Sequence, residues 1–239
     1  MTSSDQTNSY SANWFEYFHV GIDEARTSRE IDFVCHVAPW PEFQNILDLC
    51  CGMGRHARAL SQRGYKVTGI DRDPNAISKA RELGGGPNYF AADICDYRPT
   101  SDYFDAAIVM GQSFGYFDET TNRDLLRRLA IGIRKGGRII LDLWNPEFYE
   151  AHQGARNLKT ARGIVRESKC VENGRLFVDL NYPDFTREKF EWQLFTPTQM
   201  EQLAEAVGLN LQTGCSGFDV KKLPSPADPR IQFILERTN

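Results

Sequence analysis

The residues most able to do chemistry are Asp48-Leu49-Cys50-Cys51-Gly52-Met53-Gly54-Arg55-His56-Ala57, where an apolar run passes through small side chains into a helical segment. Such a turn lets the backbone approach a ligand closely, and the helix behind it offers free N–H groups. Taken alone, Gly52-x-Gly54-x-x-Ala57 also fits a dinucleotide fingerprint. Charge separates the options. Asp48 lies just before the loop, where a carboxylate repels a diphosphate but suits a ligand with an ammonium, a sulfonium and no phosphate. Asp71 ends the segment Val67-Thr68-Gly69-Ile70-Asp71, where a carboxylate can accept from both hydroxyls of a ribose, a feature that NAD shares. Asp93 ends Phe90-Ala91-Ala92-Asp93 and suits an adenine amino group. Singly, each acid is equally a turn cap or a solvated carboxylate. Placed after three successive strands, they form an acidic rim at the mouth of an α/β sheet, where such folds bind ligands. The ligand that answers this description is S-adenosylmethionine.

The elements that must position these residues follow from pattern. Ile46 to Cys50 is a buried-type strand, Arg55 to Arg63 a helix closed by Gly64, and Lys66 to Asp71 a second strand. Asp73-Pro74 gives an N-cap and a first-turn proline for a helix ending at Gly84-Gly85-Gly86. Strands follow at 88–92 and 104–110. The next helix carries Leu125, Leu129 and Ile133 on one face and stops at Lys135-Gly136-Gly137, and Arg138 to Trp144 is the fifth strand. This alternation predicts an α/β fold with a doubly wound, mostly parallel seven-stranded sheet and helices on both faces. Upstream, residues 1–10 are polar, and Ile22 to about Ala38 reads as a helix ending at Pro39-Trp40-Pro41. Downstream, 151–195 loses helical period. Asn173-Gly174 suits a two-residue hairpin between alternating strands, with Leu176, Val178, Leu180 and Tyr182 on one face and Phe190, Trp192 and Leu194 on another. Thr196-Pro197-Thr198-Gln199 is a capping box with proline at the first helical position, and strands near 209–216 and 230–236 complete the sheet. The chain thus divides into an N-terminal helical lid (1–40), an α/β core (41–150), an antiparallel insertion covering the substrate (151–195) and the rest of the core (196–239).

The 239 residues are 41% hydrophobic and 25% charged, which excludes disorder or a coiled coil as the main state. A net charge of −4 argues against a global nucleic-acid-binding surface. Neither the six cysteines nor the four histidines show metal-ligand spacing, so no metal is expected, and Cys50 and Cys51 read as small inert side chains rather than a redox pair. No signal peptide or membrane-length apolar run is present, and the protein is expected to be cytoplasmic with reduced thiols.

With these motifs, residues 14–237 resemble the class I S-adenosylmethionine-dependent methyltransferases. Within them, the chain is similar to bacterial small-molecule enzymes whose loop reads Asp-Leu-x-Cys-Gly-x-Gly-Arg-His. Phe104-Asp105-Ala106-Ala107-Ile108-Val109-Met110-Gly111-Gln112-Ser113-Phe114-Gly115-Tyr116-Phe117 and the Arg-Lys-Gly-Gly-Arg turn at 134–138 belong to the same resemblance. It implies that Asp48, Cys50, Cys51, Gly52 and Gly54 hold the methionine end of the cofactor. Asp71 and Arg72 would flank the ribose, Asp93 and Ile94 the adenine, and Met110, Gly111 and Gln112 the sulfonium side. Cys50 replaces the first glycine of the family's Gly-x-Gly-x-Gly.

The implied reaction is in-line methyl transfer to N or O of a small molecule. Candidates for the acceptor side or its lid are Trp14, Tyr17, Phe18, His19, Ser113, Phe114, Tyr116 and Trp144; Trp14 and Phe18, one helical turn apart, equally fit a packed amphipathic helix. Asp142 is a further acid near the mouth, and no residue sits in a motif that assigns a general base. Arg156, Lys159, Arg162, Arg166 and Lys169 against Glu167 suit either an anionic acceptor or a solvated face. The alternatives are a tRNA-modifying methyltransferase, a non-catalytic S-adenosylmethionine-binding protein and an NAD-dependent oxidoreductase. Asn145-Pro146-Glu147-Phe148 follows the fifth strand, not the fourth, where the amino-base methyltransferases carry their Asn/Asp-Pro-Pro-aromatic motif. The acceptor and the oligomeric state are not encoded in any recognisable motif.

Overall fold

The computed structural model describes residues 8, 10–19 and 24–238. Strands β1 (Asn45–Leu49), β2 (Lys66–Asp71), β3 (Asn88–Ala91), β4 (Phe104–Val109) and β5 (Ile133–Trp144) pair in parallel in the order β3-β2-β1-β4-β5. Two antiparallel strands, β11 (Arg230–Arg237) and then β10 (Leu209–Cys215), extend the β5 edge to seven strands. The continuous apolar runs are explained by burial on both faces. Ile46 and Ile108 point into one layer, closed by α2 (Glu24–Val37), α3 (Arg55–Ser61) and α4 (Pro74–Leu83) through Ile31, Leu60 and Ile77. Leu47 and Leu49 point into the other, closed by α5 (Glu119–Gly132) and α7 (Pro197–Glu205) through Leu125, Leu129 and Met200. Each fully buried side chain of this size contributes about 1.5–3 kcal/mol, so the two layers rather than helix propensity hold the sheet.

Local signals set several boundaries. Asp73 caps α4 by accepting from the Asn75 N–H at 2.8 Å, with Pro74 at its first position, and Thr196 and Gln199 form the expected capping box of α7. Ile133 corrects one expectation. The helix ends before it, and Ile133, in extended backbone (φ −87°, ψ 137°), opens β5 opposite Phe104. The segment Arg134 to Gly137 bulges between the pairs Phe104–Ile133 and Ala106–Arg138, so the two glycines shape the start of a strand rather than stop a helix.

Residues 154–193 form a separate four-stranded antiparallel sheet, β6 (Gly154–Thr160), β7 (Gly163–Glu172), β8 (Arg175–Asn181) and β9 (Arg187–Gln193). Asn173 (φ 51°) and Gly174 (φ 72°) are both left-handed between the paired residues Glu172 and Arg175, as a two-residue type I′ turn requires. The sheet stands over the C-terminal ends of β4 and β5. The Gln193 N–H donates to the Gly115 carbonyl at 2.8 Å, and the Trp192 indole N–H donates to the Gln112 carbonyl at 2.9 Å. Before the insertion comes a short helix that the sequence reading lacked, α6 (Pro146–Ala151), capped by Asn145. At the N-terminus, α1 (Ala12–Trp14) runs into a π-helical turn, Phe15–His19. Tyr17 and Phe18 pack on Tyr182, with ring centroids 5.3 and 6.4 Å away, so this stretch rests on the insertion. Among the described residues no helix is long and apolar enough to cross a membrane, and no group of His, Cys, Asp and Glu is arranged to hold a metal ion.

Candidate functional site

The loop between β1 and α3 reverses through left-handed backbone at Cys50 (φ 59°), Gly52 (φ 53°) and Gly54 (φ 75°). A Cβ on Gly54 would lie 2.2 Å from the Tyr89 hydroxyl, so packing excludes any side chain there, whereas the Cβ direction of Gly52 is open. Cys50 holds this conformation despite its side chain, at a cost of about 1–2 kcal/mol.

The three strand-end acids sit on adjacent strands and differ in environment. Half-buried Asp71 accepts from the Gly52 N–H at 2.8 Å and the Asp73 N–H at 2.9 Å, which fixes its carboxylate against the loop. Asp93 is exposed and accepts from the Cys95 N–H at 2.8 Å. Asp48 is 1% exposed, and its Oδ2 has no hydrogen-bond partner. Burial pushes its carboxyl up to about 7, against the pull of Arg55 and with the help of the Asp71 charge. A buried acceptor without a donor is costly, and the two neighbouring carboxylates make these strand ends attractive to a cation. Arg72, next to Asp71, is exposed and donates to the Asn8 carbonyl.

On the β4 side, Met110 and Ile94 are buried, and Gly111 (φ 68°) and Gln112 (φ 63°) form a left-handed turn with open space at the Gly111 Cβ position. Asp142 anchors this turn. Fully buried, it accepts from the Gly111 N–H (3.1 Å), Gln112 Nε2 (3.0 Å), Gln232 Nε2 (2.8 Å) and Arg230 (2.7 Å). Four donors leave it no role as a base, which corrects its placement at the open mouth, and Gln112 presents backbone rather than its amide to the site. Arg230 continues to Glu30, which is 1% exposed and also pairs with Arg26, Arg55 and His56. Although burial favours its neutral form, the His56 hydrogen bond and the Arg55 charge hold the Glu30 carboxyl well below the usual range. Burial pushes His56 down to about 4, so its imidazole is neutral near pH 7 and serves as a structural partner.

The acceptor-side candidates fall into three groups. Tyr116 and Trp144 gather under the insertion. The Tyr116 ring lies 5.6 Å from Trp192, Trp144 lies 5.9 Å from Trp192 and 5.1 Å from Tyr149, and the buried Trp144 Nε1 has no partner. Trp14, Tyr17 and Phe18 join the same aromatic cluster from the N-terminal side. Phe114 does not join it: the ring is buried in the second layer, 5.6 Å from Phe195, while the Ser113 carbonyl lies 4.0 Å from the Cys50 sulfur. The His19 side chain lies outside the described residues.

Tyr10 opens the aromatic stretch Tyr10 to Phe18 that the sequence offers as a lid, and Asn8 is a contributor that no motif singles out. The Tyr10 hydroxyl hydrogen-bonds that of Tyr116, and burial raises both phenols far above their usual range. Asn8 donates to the Tyr116 carbonyl at 3.3 Å and accepts from the Glu191 N–H at 2.8 Å, tying the N-terminus to both sheets. Only the aromatic crowding from Tyr10 onward signals this in the sequence.

Residues 46–137 match a family model described as "Methyltransferase domain". The glycine/sarcosine N-methyltransferase of Parasynechococcus marenigrum (strain WH8102) is 27% identical over 185 residues, 73% of this chain and 65% of the relative. The chain thus spans somewhat less than two thirds of that relative's length. Among solved structures, the CcbJ methyltransferase of Streptomyces caelestis superposes with a TM-score of 0.80 at 14% identity, covering 95% of this chain and 96% of the other. CalS10 of Micromonospora echinaspora, an amino pentose methyltransferase solved with S-adenosylmethionine bound, gives 0.72 at 17% identity over 98% and 99% of the two chains. Strand order, glycine loop and domain match agree: this chain has the fold of the class I S-adenosylmethionine-dependent methyltransferases and resembles their bacterial small-molecule members.

Proposed function

We propose that the protein transfers a methyl group from S-adenosylmethionine to a nitrogen of a small-molecule acceptor. The observation that carries this reading is the buried, unpartnered Asp48 Oδ2 beside Asp71, behind a loop whose Gly52 leaves open space, with Gly111 in the turn after β4 open likewise. Asp48 with Cys50, Cys51, Gly52 and Gly54 would hold the methionine end, and Asp71 and Arg72 the ribose. Asp93 and Ile94 would flank the adenine, and Met110 with the Gly111–Gln112 backbone would line the sulfonium side. The cofactor supplies a methyl group already activated for displacement. The chain's own contribution is to hold the acceptor in line beneath the aromatic cover and exclude water, effects worth about 7–11 kcal/mol in well-oriented reactions.

Nitrogen is favoured over oxygen because a hydroxyl needs a base. Among the described residues His56 and Asp142 are locked in hydrogen bonds, and burial keeps the Tyr10 and Tyr116 phenols protonated. An amine lone pair needs only to arrive neutral. The N-terminal segment and the insertion would act as lid and substrate cover, and the cysteines, none in a disulfide, fit a cytoplasmic protein. The net charge of −4 favours a small acceptor over RNA. The test is S-adenosylhomocysteine release on incubation with fractionated metabolite pools. Tight cofactor binding without release from any pool would replace this reading with a non-catalytic binding role, and retention of NAD instead would sink it.

A further inference from the structure

Building on the reading of the space under the insertion as the acceptor site, we propose that the acceptor bears a carboxylate. The ammonium of Lys169 and the indole N–H of Trp144 would hold it against the Tyr149 ring. Of the five cations between residues 156 and 169, Lys169 alone turns inward, on the face of β7 that also buries Val165 and Glu167. Its side chain is 5% exposed, with Nζ 3.0 Å from Glu167 Oε2 and 5.0 Å from the Tyr149 ring centroid. Arg156 reaches the same Glu167 oxygen from β6. The Arg156 side chain is 59% exposed and screened by solvent, so the buried cation is Lys169 alone; it shares its one carboxylate with a second cation and is left incompletely compensated unless a further anion completes the site. Hydrogen-bonding capacity points the same way. Glu167 accounts for one of the three N–H bonds of Lys169. The Trp144 Nε1, on a ring 5.1 Å from the same Tyr149, is buried with no partner. Two donors and a buried ammonium that shares its only carboxylate match a planar, two-oxygen monoanion. A phosphate monoester, with a charge of about −1.5 to −2 near neutral pH, overfills the site.

The test uses the full chain labelled at the indole nitrogens, with Trp144→Phe identifying the Trp144 signal among the four tryptophans. Acetate is expected to shift the Trp144 N–H resonance downfield saturably, with inorganic phosphate at least about tenfold weaker. Lys169→Met should weaken acetate by about tenfold or more and Lys169→Arg should restore most of the affinity, since Glu167 keeps Arg156 in both. A resonance that does not move overturns the assignment; so does phosphate binding as tightly as acetate, or Lys169→Met titrating like the parent. The wild-type arms decide even if a variant misfolds. Calorimetry with S-adenosylmethionine on the same samples keeps the two readings apart: failure to bind the cofactor removes the methyltransferase function, and the acetate response still judges the carboxylate site.

Discussion

Under the proposed function Asp48 and Asp71 would carry different parts of cofactor recognition, and their variants should separate. Asp71 is exposed enough to meet a ribose while anchored by two backbone N–H groups, so Asp71→Ala should weaken S-adenosylmethionine by about 1–3 kcal/mol in calorimetry. Asp93, already exposed, should cost less, because water can replace its contact. Asp48 acts through charge. In the unliganded fold its carboxyl sits near 7, raised from an ordinary 3.8, so the native chain holds a proton that the unfolded chain releases. The resulting stability is complete below about 3.8 and is lost as pH rises through 7. An ammonium beside Asp48 favours its ionised form. Cofactor affinity should therefore climb as pH approaches 7 and decline once the ligand's own amine, ordinarily near 7.7–8.0, deprotonates. Asp48→Asn should remove the rising limb in calorimetry across pH, and an unchanged limb would reject the assignment. Cys50 tests backbone alone: Cys50→Gly should hold or raise the melting temperature, and Cys50→Val should lower stability by about 1 kcal/mol or more, because a β-branched side chain tolerates φ 59° poorly.

At the scale of elements, α6 is the helix whose cap matters most. Asn145 accepts from the Glu147 N–H at 3.2 Å, and its amide donates to the Ser225 and Asp228 carbonyls at 2.8 and 2.7 Å. Asn145→Ala removes a cap worth about 0.5–2 kcal/mol and leaves two carbonyls short of a donor, so urea unfolding should register a loss near 2 kcal/mol or more. A loss below about 0.5 kcal/mol would show that water replaces all three bonds. The same residue shows where sequence reading stops. Asn145-Pro146 resembles a nucleic-acid motif in the wrong place, while its meaning in the fold is a cap followed by proline at the first helical position. Signals confined to a few neighbours were legible: Asp73-Pro74, Asn173-Gly174, and Thr196 with Gln199. Ile133 was not, because its apolar side chain continues the spacing of Leu125 and Leu129 across the junction into β5. The Asp142 anchor and the Glu30 cluster were out of reach for another reason. Apart from Arg26, one helical turn from Glu30, their partners lie about 25 to 200 residues away, and no local pattern announces which carboxylate receives four donors. The strand-end acids are visible because a parallel sheet brings successive strand ends together, whereas the proposed acceptor side depends on how the insertion docks.

For the whole molecule, the N-terminal segment is the piece that spans both sheets. Asn8 reaches Arg72 on the core and Glu191 on the insertion, and the Ser11 N–H donates to Glu188 at 2.6 Å. Deleting residues 1–18 should leave the far-ultraviolet circular dichroism of both sheets in place while speeding cofactor release about tenfold, the equivalent of one to two hydrogen bonds, in stopped-flow measurements. Unaltered release would show that the segment packs without closing anything.

The turn at Gln112 binds in two directions: its N–H and amide go to Asp142 on β5, and its carbonyl goes to Trp192 on the cover. Under the proposed function this one residue would be a shared wall between the donor and acceptor sites. A ligand that settles on either side and orders this wall lowers the ordering cost of its neighbour, and thermodynamics demands that the favour be returned by an equal factor. Cofactor and acceptor should each bind more tightly in the other's company, an interdependence that comes from one hydrogen-bonded indole.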